Sequence, residues 1–252
     1  MRGRALIPTL ALLTATVVLL GACTAGKPRT LPRARNGPAF TYVAIGGADT
    51  LADGTDDPLR QAWPQVLFRT ALPRNATLVN LASSPASVQD VLDRQVPQAL
   101  TLHPTLVTVL ITDDAFRGTP TATFETRLRD ALVQLRQGGR ARVLVANIPP
   151  LDARPGYLAC LPGAAAASDC TLDRPVPDVA TLDARVDALD AAVARAAAAT
   201  GANVVDLHAA VLAERAAGRE TAEYDPGAIS PNAQGQRVIA TAFADAYRRS
   251  NA

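Results

Sequence analysis

Between residues 40 and 249 the chain keeps one rhythm: short apolar runs alternate with longer segments whose apolar residues return at helical spacing. The runs FTYVAIG (40–46), ATLVNLA (76–82), TLVTVLIT (105–112), ARVLVANI (141–148) and ANVVDL (202–207) are rich in valine, isoleucine and leucine. They predict five strands. PLRQAWPQVLFRTAL (58–72), ASVQDVLDRQVPQALTL (86–102), TFETRLRDALVQLRQ (123–137) and DVATLDARVDALDAAVARAAAAT (178–200) predict helices between them. Pro97 is expected to kink or split the second, because it removes a backbone donor. Gly138-Gly139 close the third and Gly201 ends the alanine-rich fourth. HAAVLAERAA and the final NAQGQRVIATAFADAYRR are helical too, while 149–177 reads as a long irregular loop.

Five apolar strands separated by helices imply an α/β domain with a parallel sheet covered on both faces. In such sheets ligands bind beyond the carboxyl ends of the strands. The residues to read are therefore GGADT, SSPAS, TDDAF and NIPPL, which follow the first four strands, and the late loop YDPGAISPNAQG.

Composition narrows the class. Of 252 residues 48% are hydrophobic and the formal net charge is +2, with acids and bases interspersed. A nucleic-acid binder would show a basic stripe, so none is expected as partner. The domain, residues 40–252, is large enough to hold a core without a metal or a disulfide.

The N-terminus is a targeting signal. Arg2 and Arg4 precede ALIPTLALLTATVVLL, which ends in Leu20-Gly21-Ala22-Cys23. This resembles the bacterial lipoprotein signal, in which the cysteine thiol, here of Cys23, is lipidated after cleavage. The expectation is a signal peptide over 1–22 and a proline- and arginine-rich tether over 23–39. The protein would be exported and lipid-anchored at the cell envelope, with the membrane as a partner through Cys23. In an exported chain Cys160 and Cys170 are expected to form a disulfide, two free thiols being the alternative.

The five loop blocks resemble the SGNH (GDSL-type) hydrolases, a superfamily of esterases and lipases. YVAIGGADTLADGTDDP looks like the first block, VNLASSPASVQDVL the second, LVTVLITDDAFRG the third, VLVANIPPLDARPGYLACLPG the loop after the fourth strand, and DPGAISPNAQGQRVIATAF the last. The resemblance implies a flavodoxin-like three-layer α/β/α sandwich with a parallel sheet of about five strands. It also implies where chemistry should lie. The nucleophilic serine matches Ala48, the orienting aspartate Gly227 and the general-base histidine Ser230. The oxyanion glycine falls near Pro85, which has no N–H, and the oxyanion asparagine on Asp113, a carboxylate that would repel a developing oxyanion. None of the five roles keeps its residue.

Rescue from elsewhere is weak. His103 lies at the wrong end of the third strand, and His208, after the fifth, is expected at a helix start or in packing. Asp49, Asp53, Asp56, Asp57, Asp113 and Asp114 would make an acidic mouth if their loops meet. Their spacing fits no calcium loop, so no metal and no cofactor is expected. Gly46, Gly47, Asp49, Asp113, Asp114, Ile229 and Ser230 are the expected crevice residues. The reading is an SGNH-like envelope lipoprotein without serine-esterase activity, its crevice kept for a glycan, acyl or protein ligand. The alternatives are a divergent esterase using Asp49, Asp113 or His208, and a structural lipoprotein.

Overall fold

The computed structural model describes residues 39–165, 170–172 and 175–250. The signal peptide, Cys23 and the tether lie outside the described residues except for Ala39. Gly37–Ala252 forms one compact unit. Among the described residues no helix is long and apolar enough to cross a membrane.

All five predicted strands form: β1 (Phe40–Gly46), β2 (Ala76–Asn80), β3 (Leu106–Leu110), β4 (Arg142–Ala146) and β5 (Asn203–Val205). They make one sheet in the order β2-β1-β3-β4-β5, every pair parallel. The flanking helices complete the three-layer sandwich. The alternation along each strand explains the two-sided core. Tyr42 and Ala44 of β1, Leu106 and Leu110 of β3, and Leu144 of β4 face one layer; Val43, Ile45, Val107, Val109 and Val143 face the other. The first layer holds α3 (Trp63–Ala71), α10 (Leu207–Ala216) and α11 (Ala233–Arg249), with Trp63 stacked on Phe243 at 4.2 Å between centroids. The second holds α7 (Thr121–Arg136) packed along α9 (Val179–Thr200), with Phe124, Leu128 and Leu132 meeting Leu182, Val186 and Leu189.

The helices differ from expectation in instructive ways. The segment 58–72 is two helices, α2 (Pro58–Gln61) and α3, because Pro64 sits in the first turn of a new start. The segment 86–102 stays helical but changes pitch. It runs from α4 (Val88–Asp90) through a π-helical turn (Val91–Gln95) to α5 (Val96–Thr101). Pro97 has no N–H to return to the preceding turn, so the register shifts ahead of it. Two short helices follow strand ends where no periodicity announced them, α1 (Ala48–Leu51) and α6 (Asp113–Arg117). The loop 149–177 is not irregular throughout, since it contains α8 (Pro155–Ala159), and it is bridged by Cys160–Cys170.

The chain leaves β1 for β2 on one side and returns to β3 on the other. The carboxyl ends of β1 and β3 therefore diverge, the switch point at which open α/β sheets carry their crevice. Phe243→Ala would remove the ring that covers Trp63. It is expected to cost about 3–5 kcal/mol, read as a lower urea midpoint by circular dichroism.

Candidate functional site

The crevice at the β1/β3 switch point is a cavity of about 120 Å³. Each strand-end block contributes. Ala48 and Asp49 come from α1, Ser84 and Pro85 from the loop after β2, and Thr112 and Asp113 from the end of β3. Arg154 comes from the loop after β4 and Ile229 with Ser230 from the late loop. Phe116, Leu172 and Val176 give it apolar walls, and Arg117 lies beside them.

The nucleophile loop is fixed by close backbone approach. Gly46 sits at φ +150°, and a Cβ there would lie 2.1 Å from the Leu110 carbonyl. Gln95 locks the same turn. Its Oε1 accepts the Gly46 N–H at 2.8 Å, and its Nε2 donates to Gly46 O at 3.0 Å and Ser83 Oγ at 3.1 Å. Gln236, fully buried on α11, donates to Asp49 O at 3.0 Å and Pro231 O at 3.3 Å, while its Oε1 accepts the Trp63 N–H at 2.8 Å. One side chain thus ties the first block, the last block and α3 together.

At the floor lies a buried ion pair. Arg154 Nη2 donates to Asp49 Oδ2 at 2.8 Å and Nη1 to Asp49 Oδ1 at 3.2 Å. Both residues are 2% exposed. Nη1 also donates to Ile229 O at 2.9 Å, Thr112 Oγ1 donates to Asp49 Oδ2 at 3.4 Å, and the Tyr224 ring lies 5.6 Å from the guanidinium. Burial pulls the Arg154 pKa down, but the charge and hydrogen bonds of Asp49, with Tyr224 and Asp113, together outweigh it and the net shift is upward. The arginine stays charged. The Arg154 Nε is buried and has no hydrogen-bond partner among the described residues. Asp49 is thus paired at the base rather than open to the mouth.

The expected crevice residues divide. Ala48, Asp49, Pro85, Asp113, Ile229 and Ser230 line the cavity. Gly46 and Gly47 support it from behind, with the Gly47 α-carbon turned toward Asp113. Asp114 does not line it: its Oδ2 accepts the Val88 N–H at 2.7 Å and its Oδ1 the Thr119 hydroxyl at 2.6 Å, which turns the carboxylate inward as a structural bracket. Gly227 does not line it either. It holds a left-handed turn at φ +73°, with its carbonyl packed against Gly156 of α8, where a Cβ would lie 2.7 Å away. Asp225 is exposed and accepts from Asn232 Nδ2 at 3.1 Å. Asp113 Oδ2 accepts the Ala86 N–H at 2.7 Å, while burial and the neighbouring Asp49 raise its pKa. Among the described residues no cluster of His, Cys, Asp or Glu could hold a metal.

The histidines do not join this cavity. His103 is exposed at the far edge of the sheet. His208, near the start of α10, places Nδ1 2.9 Å from Ile148 O and 3.0 Å from Asp190 Oδ2. The Ile148 N–H donates to Asp190 Oδ1 at 2.6 Å. Burial pushes the Asp190 carboxyl up to about 6, against the pull of that N–H and of His208. The pair fastens the loop that delivers Arg154.

Two outcomes follow from this geometry. Asp49→Leu or Arg154→Met alone leaves an uncompensated buried charge and is expected to cost about 3–5 kcal/mol. The double substitution is expected to cost less than either single, a coupling that a denaturation cycle measures. Behind Tyr224, Glu223 is 2% exposed with Oε1 unpartnered, and burial pushes its carboxyl up to about 7. A raised carboxyl means that the folded chain holds a proton the unfolded chain has lost. Stability from this group is therefore full below 4.5 and falls as pH rises towards about 7. Glu223→Gln is expected to flatten that fall and to raise the unfolding midpoint above the window.

The comparisons with known proteins agree with this architecture. A putative GDSL-like lipase from Parabacteroides merdae superposes with a TM-score of 0.63 at 13% identity, covering 82% of this chain and 95% of its own. The psychrotrophic esterase EstA from Pseudoalteromonas sp. gives 0.58 at 16%, covering 83% and 97%. An extracellular lipase from Streptomyces rimosus gives 0.53 at 20%, covering 82% and 100%. At these identities the likeness speaks to the fold alone. No curated protein matches the sequence. Residues 43–238, which carry β1 from Val43 onward, the other four strands whole and all of the cavity, match the GDSL-like lipase/acylhydrolase family, and the chain belongs to that family.

Proposed function

We propose that this is a lipid-anchored envelope protein that uses the hydrolase crevice to bind an apolar group rather than to hydrolyse an ester. The observation that carries the reading is the Asp49–Arg154 pair at the base of a cavity lined by Ala48 and Ser230. A serine hydrolase needs a nucleophile beside a base that can take its proton. Here the nucleophile's place holds a methyl group, and Asp49 and Arg154 are locked in each other. Neither Asp49 nor Arg154 has a free role in proton transfer. Phe116, Leu172, Val176 and Ile229 favour an acyl or other apolar group over a sugar. The anchoring half of the reading rests on the sequence through Cys23.

One observation favours a second reading. Asp113 is a carboxyl on the cavity with a raised pKa, the kind of group that can direct a water without a covalent intermediate.

The purified chain is expected to leave p-nitrophenyl esters of short and long acyl chains at their uncatalysed rate, while acyl ligands raise its Tm. Val176→Trp, which fills the cavity, is expected to abolish that rise. Ester turnover that disappears in Asp113→Asn would establish the second reading instead. In cells, labelled palmitate is expected to enter the wild-type chain and not Cys23→Ala.

A further inference from the structure

All five strands run the same way, so the two edges of the sheet are chemically distinct. The cavity edge carries both signs, with Asp49, Asp53, Asp113, Asp152 and Asp206 beside Arg117, Arg154 and Arg215. At the opposite edge the segments that enter the strands are Leu72-Pro73-Arg74-Asn75, Leu102-His103-Pro104-Thr105, Gln137-Gly138-Gly139-Arg140-Ala141 and Gly201-Ala202, and the last turn of α11 ends there with Arg248-Arg249. These segments contain no aspartate or glutamate. A second cavity of about 350 Å³ opens at this edge, lined by Arg136, Arg140 and Arg142 together with Phe40, Asn203 and Tyr247. Part of this charge is engaged. Arg136 Nη1 donates to Gly201 O at 2.7 Å, Arg142 lies over the Tyr247 ring at 5.3 Å, and Arg248 pairs with Asp245 at 2.7 Å. Arg74, Arg140 and Arg249 are exposed.

We infer that this strand-entry edge is the face the domain presents to a bilayer, where its arginines meet the phosphates of anionic phospholipid headgroups. The inference rests on the lipid-anchored reading above. The chain reaches the domain at this edge, since Phe40 begins β1 and lines the basic cavity. Between Cys23 and Phe40 the sequence adds Lys27, Arg29, Arg33 and Arg35 and no acid. A tether of that length spans at most roughly 55–60 Å, which exceeds the roughly 40 Å breadth of a domain of this size. The tether alone therefore leaves orientation open, and charge decides it. Each arginine near an anionic surface strengthens attachment by about fivefold, an effect that salt screens. With this edge down, the crevice opens away from the bilayer, so its ligand arrives from the surrounding compartment.

The test uses the unlipidated chain from Thr24 onward, which carries the tether and the whole compact unit. Its co-sedimentation is measured with vesicles of phosphatidylglycerol and phosphatidylcholine in equal parts, and with phosphatidylcholine alone, at low and high salt. Binding is expected only to the anionic vesicles and only at low salt. Arg74→Gln, Arg140→Gln and Arg249→Gln together are expected to weaken it roughly a hundredfold, with an unchanged Tm. Arg237→Gln, an exposed arginine on the flank of α11, is expected to leave it unchanged. The inference is overturned if the triple variant binds like wild type while replacing the four tether cations abolishes binding. It is overturned equally if duplex DNA binds as tightly at the same salt, or if no anionic vesicle binds. Palmitate labelling at Cys23 reports on the anchor separately, so loss of the anchor and loss of the basic face give different results.

Discussion

A parallel sheet must be buried on both faces and leaves every strand pointing one way. Most of this molecule follows from that constraint. The side-chain alternation of β1 and β3 feeds two apolar layers, and helices cover both. Because all the carboxyl ends emerge at one edge, residues from five separate loops are brought to a single cavity. Side chains from the helices help hold those loops in place. Gln95 and Gln236 do so by satisfying backbone groups at the turn after β1 and at the last block.

Within that frame the Asp49–Arg154 pair redefines the site. Two ions taken out of water are costly unless their hydrogen bonds are nearly complete. Here the carboxylate receives both Nη groups and the guanidinium also reaches Ile229 O, so the pair joins the first block, the loop after β4 and the last block. A family active site would place a reactive proton path in this region. This chain places a fixed pair of charges there, with apolar walls above it. The pair gives the site cohesion and shape.

The strands were plain in the sequence because five apolar runs stood at regular spacing, and the cavity-lining places of Ala48, Asp113 and Ser230 followed from block order. The short helices were not legible: Ala48–Leu51 and Pro155–Ala159 are too brief to show a period, and Pro155-Gly156 reads as a break. Arg154 was hidden for a different reason. Arginine is scattered through every segment of this chain, and the partner lies 105 positions away. Asp114 looked like a crevice acid because it follows a strand, but local donors, Val88 N–H and the Thr119 hydroxyl, had a prior hold on it. Gln95 and Gln236 carry no sequence signal at all. An isolated glutamine on a helix becomes informative only when the backbone groups it satisfies are known.

The ion pair also has a historical consequence. Either member changed by itself strands a charge in the core, so drift at position 49 or 154 is held back by stability rather than by activity. A change that spared stability would need both distant codons to move together. Once formed, the pair is much easier to keep than to lose.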